Sequence, residues 1–357
     1  MTTMVLSVID SLLKTAGRWM DGMQGSAGSW SDFQIGVGGR SDEWVTAYVC
    51  DAIDGWQSSG RSNSAAIARA ALRRVQRRDG GWGYNERIPS DTDTTGLAVL
   101  ALSRDQTAFD RTAAVRFLLS SHDDEIGGFR TYRSPQELAD LYRDHPVRTT
   151  QSFEGWCSSH TEVTASALEA LVALGHENSQ QGRMATAYLL SKQNANGYWT
   201  GYWATDLFYP TCRAVRALAR VQVRGKVRWS RLVDALLDRQ RPDGSWTAES
   251  AEHGCAFRTA LAIETLCHAP VYYGDAIERA VQWLHLAMSP DGHWTSGYPF
   301  MRVPPPQITN PDKYDGWGPD GSGIGAVYCD QNGILTSATV ISAIHGVHHR
   351  VSTEIST

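Results

Sequence analysis

The chain has 357 residues, 42% of them hydrophobic and 20% charged, which is enough apolar side chain to bury a sizeable core. A net charge of −5 with no run of Lys or Arg excludes nucleic acid as the expected partner. Six cysteines, at positions 50, 157, 212, 255, 267 and 329, form no CxxC pair and read as reduced thiols, mostly in the core.

The first apolar stretch, VLSVID, is broken by Asp10 and Lys14 and is too short for a secretory h-region or a membrane span. A cytoplasmic location is expected, peripheral membrane contact stays open, and nothing sets an oligomeric state. The chain carries 13 Trp against 8 Phe, and the Trp residues recur in a phrase. It runs Gln76-x-x-Asp79-Gly80-Gly81-Trp82, then Gln193-x-x-Asn196-Gly197-Tyr198-Trp199, then Gln240-x-x-Asp243-Gly244-Ser245-Trp246, with looser copies at Ile126–Phe129 and Asp291–Trp294. Such a period marks repeated supersecondary units. Before each phrase lies an amphipathic helical pattern, such as Leu232, Ala235 and Leu236, or Ile277, Ala280, Val281 and Leu284. Asp-Gly or Asn-Gly then ends that helix, because the chain there needs a residue tolerant of positive φ.

After each phrase comes a segment that is apolar nearly all round: AYVCDAI, GLAVLAL, ASALEALVAL, CRAVRALARV, ALAIETL and SATVISAI. Helices apolar on every side are buried ones. Six solvated and six buried helices in alternation predict an all-α fold, a single (α/α)6 toroid of six helical hairpins forming one domain over residues 1–357. A further polar helix is predicted at PQELADLYRDH. Residues 299–332, with Pro304-Pro305-Pro306 and many glycines, are too long for an ordinary connection. They read either as a cover over the cavity mouth or as a membrane-facing or disordered edge.

Aligning the inner helices on their first Thr gives Thr46, Thr95, Thr164, Thr211, Thr259 and Thr336. Three starts fall into register, SDEWVT, SDTDTT and SHTEVT, so Asp42, Asp91 and His160 share one position. Two residues before each Thr stand Trp44, Asp93, Glu162, Tyr209, Phe257 and Ile334. In a toroid these six should ring one mouth of the central cavity, mostly apolar with two carboxylates. Asp91 reads as a helix N-cap. Asp93 stands where most repeats place a large apolar side chain, and that calls for a second explanation. Burial among aromatics favours its neutral form, while a helix N-terminus stabilises the carboxylate left after the proton departs. That combination describes a Brønsted acid, and in an apolar pocket its target is an alkene or an epoxide. The resulting carbocation would be held by the π-faces of Trp, Tyr and Phe.

These residues resemble the class II terpene cyclases, including the squalene-hopene cyclases. Gln76–Trp82, Gln193–Trp199 and Gln240–Trp246 look like that family's QW repeats, and Asp91-Thr92-Asp93-Thr94-Thr95 looks like its D-x-D-D-T acid motif. The neighbouring acid Asp91 can be a hydrogen-bond partner that fixes which oxygen of Asp93 carries the proton; the resemblance implies that Asp93 is the proton donor, that Asp91 is the motif's first Asp, and that Tyr132 stabilises early cations, though Tyr132 reads equally as a core residue. There are two departures. Thr94 replaces the motif's last Asp, with a hydroxyl still able to donate to Asp93. Ser166 stands where the family has a His, which makes His160 and Glu162 candidates for reprotonation; His160 reads equally as a cap or surface residue. With repeats for one barrel, the chain resembles the single-domain cyclases acting on prenylated aromatic chains, and a DxDTT variant also recurs in cyclases making drimane-type skeletons from farnesyl diphosphate. The implied activity is an isomerase-type polyene cyclisation of a small hydrophobic prenyl substrate. The substrate set is Trp44, Tyr132, His160, Glu162, Ser166, Tyr209 and Phe257, and the catalytic set is Asp93, Asp91 and Thr94. A non-diphosphate substrate is favoured; no metal or other cofactor is expected, and Mg²⁺ enters only with a diphosphate.

Three rival readings remain. His345, His348 and His349 with Cys329 and Asp330 imitate the zinc site of protein prenyltransferase β subunits. Asp93 and Glu162 imitate the carboxylate pair of a carbohydrate-active (α/α)6 enzyme. A toroid that binds a prenyl lipid or a protein without catalysis is the third.

Overall fold

The computed structural model describes residues 3–57, 63–104, 108–139, 152–248, 251–318 and 323–355. Among these described residues, six outer helices are α1 (Thr3–Gly22), α3 (Ser64–Arg74), α5 (Arg111–Ser120), α8 (Gln180–Lys192), α10 (Trp229–Asp238) and α12 (Gly274–Ala287), and six inner helices are α2 (Asp42–Gln57), α4 (Thr92–Ser103), α7 (Thr161–Leu174), α9 (Phe208–Arg220), α11 (Ala256–Cys267) and α13 (Ile334–Ile355). The inner helices pack side by side in chain order, and α13 returns onto α2, so the ring is closed. Patterning explains the division. On α4 every residue from Thr94 to Leu102 is buried, whereas α5 buries only Ala113, Ala114, Phe117 and Leu118. Of PQELADLYRDH, Pro135–Ala139 form a short helix, α6, and 140–145 lie outside the described residues. No helix among the described residues is long and apolar enough to cross a membrane.

The repeated phrase works as a staple. The last carbonyls of a helix have no partner within it, and the indole N–H of each repeat Trp donates to one of them ten residues back. Trp30 donates to Met20 O (3.0 Å), Trp82 to Leu72 O (2.8 Å), Trp199 to Leu189 O (2.6 Å), Trp246 to Leu236 O (2.7 Å) and Trp294 to Leu284 O (2.8 Å). Phenylalanine lacks that donor, which accounts for the excess of Trp. The backbone N–H of the same residue donates to a hydroxyl in the first turn of the next inner helix: Trp30 to Thr46, Trp82 to Thr95, Phe129 to Thr164, Trp199 to Thr211 and Trp246 to Thr259, at 2.8–3.0 Å. Gln76, Gln193 and Gln240 donate to the carbonyl of the glycine four residues on. Gly80 at φ +93° must be glycine twice over, since a Cβ there would lie 2.3 Å from the Ala113 carbonyl.

In the sixth repeat the expected register slips by one residue. Trp294 N donates to Ser337 Oγ (3.0 Å), not to Thr336, whose buried hydroxyl has no partner. Serine supplies the same acceptor as threonine, so aligning on Thr alone chose the wrong residue, and the cavity-facing position is Leu335 rather than Ile334. Asp32 fixes this end of the ring: Oδ2 accepts from Leu335 N (2.7 Å) and Oδ1 from Asn332 N (2.7 Å), tying the first repeat to the start of the last inner helix.

Short antiparallel ladders join the elements: β1 (Gln34–Ile35) with β2 (Gly39–Arg40), β3 (Trp82–Gly83) with β4 (Ser90–Asp91), and β5 (Phe129–Arg130) with β6 (Ser159–His160). Within residues 299–332, β7 (Met301–Val303) pairs with β8 (Ala326–Tyr328). Trp156 donates to Pro304 O (2.8 Å) and Tyr202 to Ile308 O (2.8 Å), pinning part of that long connection to the ring.

Candidate active site

A cavity opens at the N-terminal ends of the inner helices. Trp44, Asp93, Glu162, Tyr209, Phe257 and Leu335 all line it, one from each inner helix. Tyr132, Trp156, Trp203, Phe300, Met301 and Val303 extend the wall. Its empty volume is about 970 Å³ with the open mouth included. Tyr209 stacks on Phe257 with centroids 6.4 Å apart, and Phe257 leans on Phe300 at 5.2 Å.

Asp93 is half-buried and faces this cavity. Its Oδ1 accepts from Ser166 Oγ (2.6 Å) and its Oδ2 from the Trp44 indole N–H (2.7 Å). Burial raises its pKa above the ordinary carboxylate range, opposed by those two donors and by Arg213. Behind it, Arg213 Nη2 donates to Ser166 Oγ (3.1 Å) and pairs with Glu169 (2.6 Å), both deeply buried. Burial pushes Glu169 up, but Arg213, Arg216 and Arg220 outweigh it and hold this carboxyl below its usual range. Arg213 was not singled out in the sequence; its only signal there is an Arg in the otherwise apolar run CRAVRALARV.

Asp91 and Asp93 have separate partners. Asp91 Oδ1 accepts from Thr94 N (2.7 Å), as an N-cap does, and Oδ2 accepts from Thr94 Oγ1 (2.8 Å). Burial raises its pKa to about 7, helped by neighbouring Asp93. The expectation that Thr94 donates to Asp93 is therefore corrected: its hydroxyl is spent on Asp91. The expectation that Asp91 orients the proton on Asp93 is corrected likewise, since Trp44 and Ser166 hold both oxygens of Asp93.

Of the seven expected substrate residues, Trp44, Tyr132, Glu162, Tyr209 and Phe257 line the cavity, and Ser166 and His160 do not. Ser166 sits beneath Asp93. His160 stands behind the wall: Nε2 faces Gly155 O (2.9 Å), Nδ1 faces Thr131 Oγ1 (2.9 Å), and the ring stacks on Tyr202 at 4.0 Å. Facing a carbonyl, Nε2 must be the donor, so Nδ1 accepts from Thr131, whose oxygen in turn accepts from the Trp203 indole (2.8 Å). Burial holds the imidazole neutral, with a pKa lowered to about 3. His160 therefore buttresses Trp203 instead of contacting the cavity.

Glu162 is 2% exposed. Its Oε1 accepts from the backbone N–H of Tyr202 (2.8 Å) and Trp203 (2.7 Å). Burial raises its pKa, against those donors.

The histidines proposed for zinc lie elsewhere. His345 and His349 line the opposite mouth, with Arg104, Arg216 and Arg220. Asp330 accepts from Ser296 and Thr336 N at the start of α13. Eleven residues of helix between Ile334 and His345 span about 16 Å, so Asp330 and His345 do not converge. Arginines at the C-terminal ends of six parallel helices complement the helix dipoles. Among the described residues no group of three or more His, Cys, Asp or Glu is placed to hold a metal.

Residues 84–301 match the family model of the squalene-hopene cyclase C-terminal domain. The drimenyl diphosphate synthase of Streptomyces showdoensis is 29% identical over 237 residues, 63% of this chain and 40% of that protein. A probable squalene--hopene cyclase of Sinorhizobium fredii is 25% identical over 303 residues, 71% of this chain and 44% of that protein. The chain thus spans less than half the length of these curated relatives. The type II terpene cyclase MstE from Scytonema, solved as a variant in complex with its substrate geranylgeranyl dihydroxybenzoate, superposes with a TM-score of 0.85 at 25% identity, over 98% of this chain and 100% of that one. The family match runs through well over half of the sequence and through the acid-bearing helix, and the chain belongs to the squalene-hopene cyclase C-terminal domain family, with the toroid fold of the type II terpene cyclases.

Proposed function

We propose that the protein is a protonation-initiated cyclase in which Asp93 transfers its proton to a terminal alkene or epoxide of a linear prenyl chain folded in the cavity. The observation that carries this reading is a carboxyl suspended between two donors on the floor of an aromatic cavity. Burial favours the neutral acid at rest. The indole of Trp44 is donor-only, so Oδ2 serves as the carbonyl oxygen of that acid and Oδ1 carries the proton. Ser166 has an alternative acceptor in Glu162 O (3.1 Å), so its hydrogen can point there while Asp93 is neutral and swing to Oδ1 as the proton leaves. The Ser166 donor is thus spent on the conjugate base, where a general acid needs it. Six helix N-termini directed at the cavity add to this. The rings of Trp44, Tyr132, Trp156, Trp203, Tyr209 and Phe257 meet the cations that follow, each contact contributing roughly 0.5–2 kcal/mol. Asp91 and Thr94 keep the first turn of α4 in place. On this reading residues 1–357 act as one domain, with Phe300, Met301 and Val303 of the long connection shaping the cavity wall.

The substrate class proposed is a prenylated aromatic acid, supported by the overlap with MstE over 98% of this chain and by the cavity's apolar wall. The likeness to drimenyl diphosphate synthase favours a prenyl diphosphate as the second reading. Purified protein is incubated with geranylgeranyl dihydroxybenzoate, farnesyl diphosphate and geranylgeranyl diphosphate, each with and without Mg²⁺, beside Asp93→Asn. The expected result is a cyclised isomer from at least one substrate, lost in the variant; cyclisation that survives Asp93→Asn refutes the assignment.

A further inference from the structure

An isomerisation that takes a proton in must give one out, and the cavity holds a second carboxyl that the initiation step does not use. Among the described residues of the wall, two buried polar atoms have no partner, Glu162 Oε2 and the Tyr209 hydroxyl. An unpartnered buried polar atom costs about 1–3 kcal/mol, more when charged, and asks for a ligand. Glu162 is also built around: its Oε1 holds the backbone N–H groups of both Tyr202 and Trp203, and Gly201 lies so close that a Cβ there would sit 3.1 Å from each carboxyl oxygen. The backbone of Tyr202 and Trp203 holds one oxygen, and the other is buried without a partner in a residue that lines the cavity. We propose that Glu162 is the base that ends the cascade, its Oε2 taking the proton from the carbon beside the last carbocation. This rests on the reading of Asp93 as the initiating acid.

The step balances within the site. The C–H bond breaks, its electron pair becomes the π bond to the adjacent cationic carbon, and the proton bonds to Oε2. Asp93 begins protonated and ends as carboxylate, while Glu162 begins as carboxylate and ends protonated, so the charge of the cavity is the same before and after. Water entering as the product leaves carries the proton back to Asp93. The other candidates are occupied. Both oxygens of Asp91 accept from Thr94, both nitrogens of His160 are bonded behind the wall, and burial keeps the Tyr209 phenol protonated. Burial opposes the ionised form of Glu162, and what favours it is the pair of backbone N–H groups on Oε1 together with the cation at the final carbon, which is the partner that Oε2 lacks.

The test compares the wild-type chain, Asp93→Asn, Glu162→Gln and Glu162→Asp with geranylgeranyl dihydroxybenzoate and farnesyl diphosphate in D₂O. Wild type is expected to give one main alkene carrying deuterium at the attacked carbon, and Asp93→Asn to consume nothing. Glu162→Gln keeps the Oε1 acceptor and loses the base. It should still consume substrate with deuterium incorporation, while the share of the main alkene falls by about tenfold or more in favour of alkene isomers and water-trapped alcohols. Glu162→Asp, retracting the carboxylate by about 1.5 Å, should fall between the two. A folded Glu162→Gln variant giving the wild-type product ratio overturns the proposal, as does one that consumes nothing, which would assign Glu162 to initiation. If the Gln variant does not fold, Glu162→Asp decides, and an unchanged product ratio overturns the proposal. Wild type that consumes no substrate removes the cyclase reading itself.

Discussion

Ser166→Ala isolates the acid from its donor. The hydroxyl lies 2.6 Å from Asp93 Oδ1 and receives Arg213 Nη2 at 3.1 Å, so a cation polarises the donor that meets the developing carboxylate. A hydrogen bond to a charged group contributes about 1.5–3 kcal/mol. The bond strengthens only as Asp93 ionises, so its loss raises the protonation barrier by up to that amount, and kcat should fall by roughly 10- to 150-fold. The sign with pH follows from which form acts. Protonated Asp93 is the reactive form, so activity is present below its pKa and lost as pH rises through it. Removing a donor to the carboxylate raises that pKa further, and the falling limb of the pH–rate profile should move to higher pH while its plateau drops. The groups setting the limb are Asp91 on α4, Glu162 and Glu169 on α7, and Tyr209 and Arg213 on α9. The assay is kcat against pH on whichever substrate the wild type converts. A lower plateau with an unmoved limb, or a limb moved to lower pH, refutes the reasoning, because simple damage to the cavity gives the first and a structural hydroxyl has no reason to give either shift.

Trp44→Phe keeps the ring on the cavity wall and removes the 2.7 Å donor to Oδ2; kcat should drop by about tenfold with KM little changed, and a KM increase as large as the fall in kcat would count against the donor role. Ser337→Ala removes the acceptor for Trp294 N and should cost about 1–3 kcal/mol in denaturant unfolding, whereas Thr336→Val replaces an unpartnered buried hydroxyl by a methyl and should be neutral or stabilising; the reverse order would reject the one-residue register. His160→Phe tests the buttress: a histidine with its folded pKa near 3, against 6.5 unfolded, contributes stability that is present above pH 6.5 and lost as pH falls, so the gap between wild type and variant should narrow by about 1.4 kcal/mol per pH unit below 6.5. Urea unfolding at two pH values reads it, and a constant gap would mean that His160 is not held neutral.

The closed ring was legible because burial writes itself into composition: GLAVLAL and ASALEALVAL have no polar face, and only an element surrounded on all sides tolerates that. The ring of cavity residues was legible for a narrower reason. Each inner helix is pinned at its first turn by a hydroxyl meeting the backbone of the repeat aromatic, so residues two before that hydroxyl point alike. Where chemistry allows a substitute, the ruler fails, as it did when Ser337 took the place expected of Thr336. Trp44 and Ser166 were legible as site residues, but not as the donors that hold the acid, and Arg213 was not legible at all. Trp44, Ser166 and Arg213 come from three other inner helices and meet Asp93 only because the ring closes, and no local spacing records a contact of 49 or 73 residues in sequence. Thr94, beside Asp93 in the chain, turned out to serve Asp91. A side chain at i+3 of an N-cap residue is committed to that cap by helix geometry, so the neighbour in sequence was the wrong place to look for what controls the acid. The same logic separates Glu162 from His160: two residues apart at a helix start, one lines the cavity with an oxygen left unpartnered and the other is bonded behind the wall through both ring nitrogens.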